Sequence, residues 1–469
     1  MGLFNYIYMA NLEKGNKKLG TAWAFYDWAN SVYNLVISSA IFPIYYGALF
    51  KIKGITSVDF LGFEVKNTAL ISFVTAFAFL IVAIMSPLLS GIADFAGNKK
   101  RFMQFFCYLG ALPCIGLSFF TLDNLYFGIL CFFFGLIGFW GSLVFYNSYL
   151  PDIAYPEQQD KLSAKGYSLG YIGSVVLLLL NLAMVMKPEW FGFDLSISEE
   201  LLKSGTPLEI DTALEAVRNA ASFKAMQYSF ISVGIWWIVF SQYTFYYLPK
   251  NTVNNKVTKN VVFNGYKELK KVWHQLEENI ILKKYLRSFF VYSMAVQTVM
   301  LVATYFGEQE IKWESDSQRT TGLIISILVI QIVAVFGAII TSRISEKIGN
   351  IKTLIIINSI WFVICIYAFF VVSPVQFYIT AGFVGLVMGG IQSLSRSTYS
   401  KLLPDTKDTT SFFSFYDVAE KIGIVIGMGI FATIDQISGS MRNAIVFLAV
   451  FFIIGVFLLT KVQKIVTKK

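Results

Sequence analysis

The feature that most constrains this chain is the recurrence, from end to end, of apolar runs about 20 residues long, each able to cross a hydrocarbon core about 30 Å thick. Lipid offers no hydrogen bonds, so every backbone N–H and C=O must be satisfied within its own segment. Runs this long and continuous are therefore helices rather than barrel strands. Reading apolar runs against turn and charge signals gives twelve spans, at approximately 21–49, 68–93, 102–121, 124–150, 164–186, 225–248, 285–307, 320–343, 352–372, 375–399, 411–434 and 441–461. Only 14% of the 469 residues are charged, against about one quarter in soluble domains. The expected fold is an all-α membrane bundle. The first run is too long for a signal-peptide core and is kept as a span.

Twelve spans put both termini on one side, and the distribution of Lys and Arg says which. One face carries Asn98-Lys99-Lys100-Arg101, Lys250, Lys256, Lys259, Lys267, Lys270, Lys271, Lys283 and Lys284, the segment Arg343 to Lys352, and the tail Lys461 to Lys469. The other carries Lys187 to Arg218, with Glu189, Asp194, Glu199, Glu200, Glu209, Asp211 and Glu215, and the stretch Glu308 to Asp316. The basic face is expected to be cytoplasmic, with the chain in a bacterial inner membrane. The net charge of +9 then belongs to these loops, and no nucleic-acid partner is expected. Cys107, Cys114, Cys131 and Cys365 lie in apolar runs without CxxC spacing, so no disulfide, metal site or cofactor is indicated. His274 lies outside every run, which leaves no intramembrane histidine for a proton relay.

The connection 249–284 divides the chain into a six-span half, 1–248, and a second half, 285–469. Within it Tyr266, Leu269, Val272, Trp273, Leu276 and Ile280 recur at helical spacing opposite Lys267, Lys270 and Lys271. Such a helix lies on the anionic inner leaflet or packs on the bundle as a linker.

Charged and amide side chains inside the spans need a reason. The first span opens Ala22-Trp23-Ala24-Phe25-Tyr26-Asp27-Trp28-Ala29-Asn30-Ser31, and a helix there puts Asp27, Asn30, Ser31 and Asn34 on one face. Unpartnered burial of such groups is costly, so the stripe is a water-filled path, a binding site or a packed contact. Asp27 sits about 10 Å inside its helix, with Asp417, Glu420 and Lys421 at comparable depth in the eleventh span and Arg396 closing the tenth. Asp27, Arg396, Asp417 and Glu420 are expected to form a cytoplasmic gate whose members exchange partners. Lys421 is expected to snorkel to water. Asp152, after Pro151, reads as a loop acid first and a coupling site second.

Two loops repeat. Ser90-Gly91-Ile92-Ala93-Asp94-Phe95-Ala96-Gly97-Asn98-Lys99-Lys100-Arg101 follows the second span, and Ser342-Arg343-Ile344-Ser345-Glu346-Lys347-Ile348-Gly349-Asn350-Ile351-Lys352 follows the eighth. Corresponding loops in each half indicate two homologous six-helix units. Twelve spans with the loop Gly91 to Lys100 resemble the major facilitator superfamily. The segments Phe25 to Ser31, Gly389 to Ser397 and Phe412 to Lys421 narrow the resemblance to the branch similar to the vacuole effluxers of the autophagy pathway, whose eukaryotic members export amino acids. The resemblance implies a bundle of two pseudo-symmetric six-helix halves working as a monomer. It implies that Asp94 meets the start of the eleventh helix, with Lys99, Lys100 and Arg101 in the same gating loop and Tyr416 beside Asp417. Ser90 and Asn98 depart from the loop's usual glycine and basic residue. It also implies a cavity lined by spans one, four, seven and ten, making Asp27, Asn30, Asn34, Asn147, Gln297 and Gln392 the candidate substrate contacts. Amides donate and accept, which suits a zwitterion or polyol.

The function expected is secondary transport of a small polar solute, an amino acid in the first instance, with protons as the candidate coupling ion. A lipid flippase or scramblase of the same fold is the alternative. A membrane enzyme is disfavoured, because no histidine dyad, metal-ligand cluster or nucleophile with a base stands at a membrane edge. Gly389-Gly390, just before Gln392 and Arg396, reads as a hinge.

Overall fold

The computed structural model describes residues 12–197, 205–249 and 261–467. Glu199, Glu200, Lys250, Lys256, Lys259, Lys468 and Lys469 thus lie outside the described residues. Ten segments among those described are long and apolar enough to cross a bilayer. They comprise Lys17–Lys53, which holds α1 (Lys17–Val32) and α2 (Phe42–Lys53), then α3 (Asn67–Ala96), α4 (Lys99–Gly116), α5 (Leu125–Ser148), which runs into the short α6 (Leu150–Ile153), and α7 (Pro156–Met186). In the second half they are α10 (Ile280–Glu310), α11 (Asp316–Ile348), α12 (Asn350–Ala368), α13 (Pro374–Leu402) and α15 (Met441–Val466). Two further long helices complete the expected twelve: α8 (Pro207–Tyr247), rich in Trp and Tyr, and α14 (Thr409–Ser438), which carries Asp417, Glu420 and Lys421. The acidic stretch after span five is shorter than expected, because Pro207 at the first turn and the Thr206 capping box start α8 early and place Asp211 and Glu215 on its exposed first turns.

Two departures occur near the first span. Between α1 and α2 the backbone widens into a π-helix, Tyr33–Ile41, and Ser39 Oγ donates to the carbonyl of Asn34 at 2.9 Å. The wider turn swings Asn34 to an exposed position while Asp27 and Asn30 are buried, so the stripe read from 3.6-residue spacing does not continue. After α2 comes a small antiparallel hairpin, β1 (Ser57–Phe60) and β2 (Phe63–Lys66), with Val58 opposite Val65.

Two hydrophobic cores form. One gathers the helices of the first half, where Phe42 stacks on Phe132 with ring centroids 4.3 Å apart. The other gathers α10 to α15, where Trp361 lies parallel to Phe452 at 5.6 Å. We call the end of the bundle bearing Lys99, Arg101, Lys347 and Lys352 the basic end. Polar contacts between the halves concentrate there and reach mid-depth at Tyr171–Gln392 and Ser86–Asp417.

The linker helix α9 (Val261–Glu278) packs on the bundle. Gly265 meets Gly91 of α3 backbone to backbone, an approach closed to any larger residue at either position. Val272 and Leu276 are buried, the Trp273 ring lies tilted against Phe415 of α14 at 5.4 Å, and Lys271 bonds Asp408 at 2.7 Å. The Asp408 and Glu268 carboxylates raise the Lys271 pKa. Phe263, Tyr266, Lys267 and Lys270 stay exposed.

Glycines bring α11 and α13 together. A Cβ at Gly389 would overlap the carbonyl of Ala334, and one at Gly385 would lie 2.5 Å from that of Ile330, so the expected hinge at Gly389 is a packing position. Gly382 in the same helix faces open space. Gly389→Ala is expected to cost about 1–3 kcal/mol through overpacking and to lower the melting temperature in detergent by several degrees. Gly382→Ala should be neutral or slightly stabilising; equal behaviour of the two would remove the packing assignment.

Candidate functional site

A buried charged contact joins the two halves. Arg396 of α13 is 2% exposed and Asp27 of α1 is 4% exposed. Both terminal nitrogens of Arg396 lie 3.4 Å from Asp27 Oδ2. Its Nε donates to Ser163 Oγ at 2.9 Å, Nη1 to Asn147 Oδ1 at 3.2 Å and Nη2 to the Ser163 carbonyl at 3.0 Å. Tyr146 donates its hydroxyl to the same Asp27 oxygen at 2.7 Å. Three rings enclose the guanidinium, with Trp23, Tyr146 and Tyr167 centroids 4.8, 5.4 and 4.2 Å from its central carbon. Trp23 is held against Tyr146 by stacking at 4.5 Å and by its indole N–H on the Tyr146 carbonyl. Room for all this depends on Gly166, where a Cβ would lie 2.5 Å from Asp27 Oδ2 and 3.0 Å from Arg396 Nη2. A buried ion pair is tolerable only when its remaining donors are satisfied, and here all three nitrogens find acceptors.

A second charged cluster sits on α14. Lys421 is 1% exposed and bonds Asp417 at 2.7 Å and Glu420 at 3.1 Å, with its Nζ 3.9 Å from the centre of the Trp140 ring of α5. The expectation that Lys421 snorkels is overturned: one turn of helix puts Asp417 beside it, and Trp140 supplies a ring face, so its charge is met inside the bundle. Ser86 of α3 donates to Asp417 at 3.3 Å, and Gln297 donates to Glu420 at 2.7 Å. Two acids and one base leave the cluster one negative charge in excess.

The repeated loops reach across the halves at the basic end. Asp94 accepts the backbone N–H of Ser411 at 2.7 Å and of Thr410 at 3.3 Å, at the start of α14; a carboxylate is stabilised beside such a positive helix end. Lys99 pairs with Asp152, donates to Thr409 Oγ1 at 3.1 Å and lies over the Tyr149 ring. Lys100 is tied to the Leu248 carbonyl at 2.8 Å, and Arg101 is exposed. The loop of the second half engages α7: Asp160 accepts from Lys401 at 2.5 Å, Asn350 at 2.8 Å and Ser345 at 3.1 Å.

The candidate substrate contacts do not share one site: only Asp27 and Asn147 meet, at Arg396. Asn147 belongs to the Arg396 site and Gln297 to the Glu420 cluster, while Gln392 accepts from Tyr171 at 2.6 Å. Asn30 is buried with Ser31 Oγ on its Oδ1, and Asn34 is exposed. The reason is that the amides differ in depth and in the side their helices present. Tyr416 stacks on Phe289 at 4.0 Å rather than joining the charges. Residues not foreseen are Ser163, which closes the Arg396 site, and Asp160 with Lys401. Asp160 was legible only with the start of α7 placed at Pro156 instead of 164, and that Pro at the first turn is its signal.

Residues 15–198 and 207–467 match the family described as vacuole effluxer Atg22 like. The chain is 28% identical over 453 residues to the uncharacterized MFS-type transporter YxiO of Bacillus subtilis (strain 168), with 95% of each chain covered. It is 21% identical over 474 residues to autophagy-related protein 22 of Yarrowia lipolytica, covering 87% of this chain and 78% of that one. Among solved structures, the Escherichia coli fucose:proton symporter FucP aligns with a TM-score of 0.64 at 14% identity, covering 95% of this chain and 97% of that one. The proton:xylose symporter XylE gives 0.63 at 13%, covering 95% and 94%. At such identities the likeness is one of fold.

Removing one partner of a buried ion pair costs about 3–5 kcal/mol, so Arg396→Ala should lower thermal stability in detergent markedly. The double variant Asp27→Asn with Arg396→Ala should lose less than the sum of the two single losses. A strictly additive result in that double-mutant cycle would show that the two charges do not act as a unit.

Proposed function

Because the chain belongs to the vacuole effluxer Atg22-like family, within the major facilitator superfamily, we propose that it moves a small polar solute, an amino acid in the first instance, across the membrane by alternating access, with export as its direction. That it is an integral multi-pass membrane protein and a secondary transporter of some solute follows from its relatives and fold. The rest is our reading, as are its placement in the bacterial inner membrane with both termini cytoplasmic, its action as a monomer without enzymatic activity, and its division into halves at 249–284. The basic end faces the cytoplasm under the Lys and Arg bias of the loops.

The observation that carries alternating access is that Arg396 of one half is seated among Asp27, Asn147 and Ser163 of the other. A charge pair across two rigid bodies acts as a gate when the bodies rock, since separating them requires each charge to find another partner. Asp94 at the start of α14 and Asp160 on Lys401 reinforce the same closed end.

Proton coupling is assigned first to the α14 cluster. Its excess negative charge invites a cation, and Glu420 is its most accessible member, with a side chain 18% exposed. Asp27 is balanced by Arg396 while the gate is shut and can take part only when the gate opens.

The test is uptake by the purified, reconstituted protein offered amino acids, sugars and peptides, with and without a pH gradient. We expect one solute class to move and the gradient to drive it. Failure of every small solute would turn the reading toward lipid handling. Asp417→Asn and Glu420→Gln are each expected to cut gradient-driven transport at least about tenfold while sparing solute binding, as loss of a coupling interaction worth about 1.4 kcal/mol or more would. Full gradient dependence in both variants, and in Asp27→Asn, would sink the coupling assignment.

A further inference from the structure

The site around Arg396 is asymmetric in a way that says what it can hold. All hydrogen-bond acceptors and facing rings of the guanidinium among the described residues come from the N-terminal half: Trp23 and Asp27 from α1, Tyr146 and Asn147 from α5, Ser163 and Tyr167 from α7. Arg396 enters this cage from the other half. When the halves part at the basic end, Arg396 leaves with α13 while the cage stays whole on α1, α5 and α7. Asp27 is then deprived of its counter-charge in a poorly solvated site, which is strongly unfavourable until a cation replaces the one withdrawn. The walls select the kind of cation. A tryptophan and two tyrosine faces around one carboxylate favour a large, weakly hydrated organic cation over a small, tightly hydrated one, and the acceptors of Asn147 and Ser163 suit its N–H groups.

We propose that this cage is a binding site for the guanidinium head of a small organic solute, with Arg396 as the competitor built into the chain. The proposal rests on the alternating-access reading above for the moment at which the cage opens. Solute and Arg396 occupy the cage in turn, so solute that enters at the open basic end passes on from the cage toward the middle of the bundle before Arg396 returns and closes that end.

The probe is methylguanidinium chloride, with methylurea as its neutral counterpart, titrated calorimetrically into purified full-length Arg396→Ala. Methylguanidinium should bind at least about tenfold more tightly than methylurea, the scale of a desolvated cation–π and carboxylate contact, and Asp27→Asn in the same background should abolish the preference. Equal binding of the two, a preference that survives Asp27→Asn, or occupancy that follows pH alone and marks a proton site, would each overturn the proposal. If Arg396→Ala does not fold, the wild-type protein decides: methylguanidinium should inhibit uptake of the solute found in the screen about tenfold better than methylurea, and Tyr167→Leu should erase the difference. Transport inhibited equally by both overturns the cage assignment and leaves transport standing. Cation binding in the cage of a protein that moves no solute supports the site and overturns the transport reading.

Discussion

The closed end of this bundle depends on one constraint: two charges taken out of water have to satisfy each other and every spare donor around them. Asp27 and Arg396 meet it through Tyr146, Asn147 and Ser163, and the rings of Trp23 and Tyr167 fill what remains. Gly166 is part of the same solution, because any side chain there would displace the carboxylate. Such a pair adds little net stability over an apolar contact of similar size, since desolvation offsets the attraction. What it does add is discrimination. The pair is satisfied in this arrangement of the two halves and would be costly in arrangements that separate it without another partner.

Around that pair the internal repeat is used twice with the roles reversed. In the first half the loop supplies an acid, Asp94, to the backbone N–H groups that open α14. In the second half the loop supplies Ser345 and Asn350 to an acid, Asp160, near the start of α7. Each loop therefore grips a helix of the opposite half close to its first turns, and the basic end is tied on both sides of the central pair. Lys99 on Asp152 and Lys401 on Asp160 add one cation to each tie.

Much of this was legible in the residues. Apolar runs located twelve helices because lipid leaves the backbone no other choice, and the repeated loops showed two halves. Asp27 stood out as a charge inside the first span, and Arg396 as one closing the tenth at the same end. Hydropathy, however, marks the part of a helix in lipid and not the helix, so α7 and α8 begin well before their apolar runs and Asp160 lies outside the span read at 164–186. Spacing at 3.6 residues fails where the hydrogen bonding changes, which is why Asn34 left its stripe at the π-helix. Lys421 was misjudged because its ring partner, Trp140, is remote in sequence and no local pattern announces it. The candidate amides shared a cavity-facing role in prospect but not an environment, since depth and helix rotation are set by packing.

The linker helix has a mechanical consequence. Gly265 of α9 lies on Gly91 of α3, while Lys271 and Trp273 hold Asp408 and Phe415 at the head of α14. One surface helix therefore clasps both halves at the basic end, and any motion that parted them there would have to release one of its grips. Under the proposed alternating access the work of opening would be shared between the buried charges and this outer clasp, whose partly exposed Lys271–Asp408 pair lies within reach of salt.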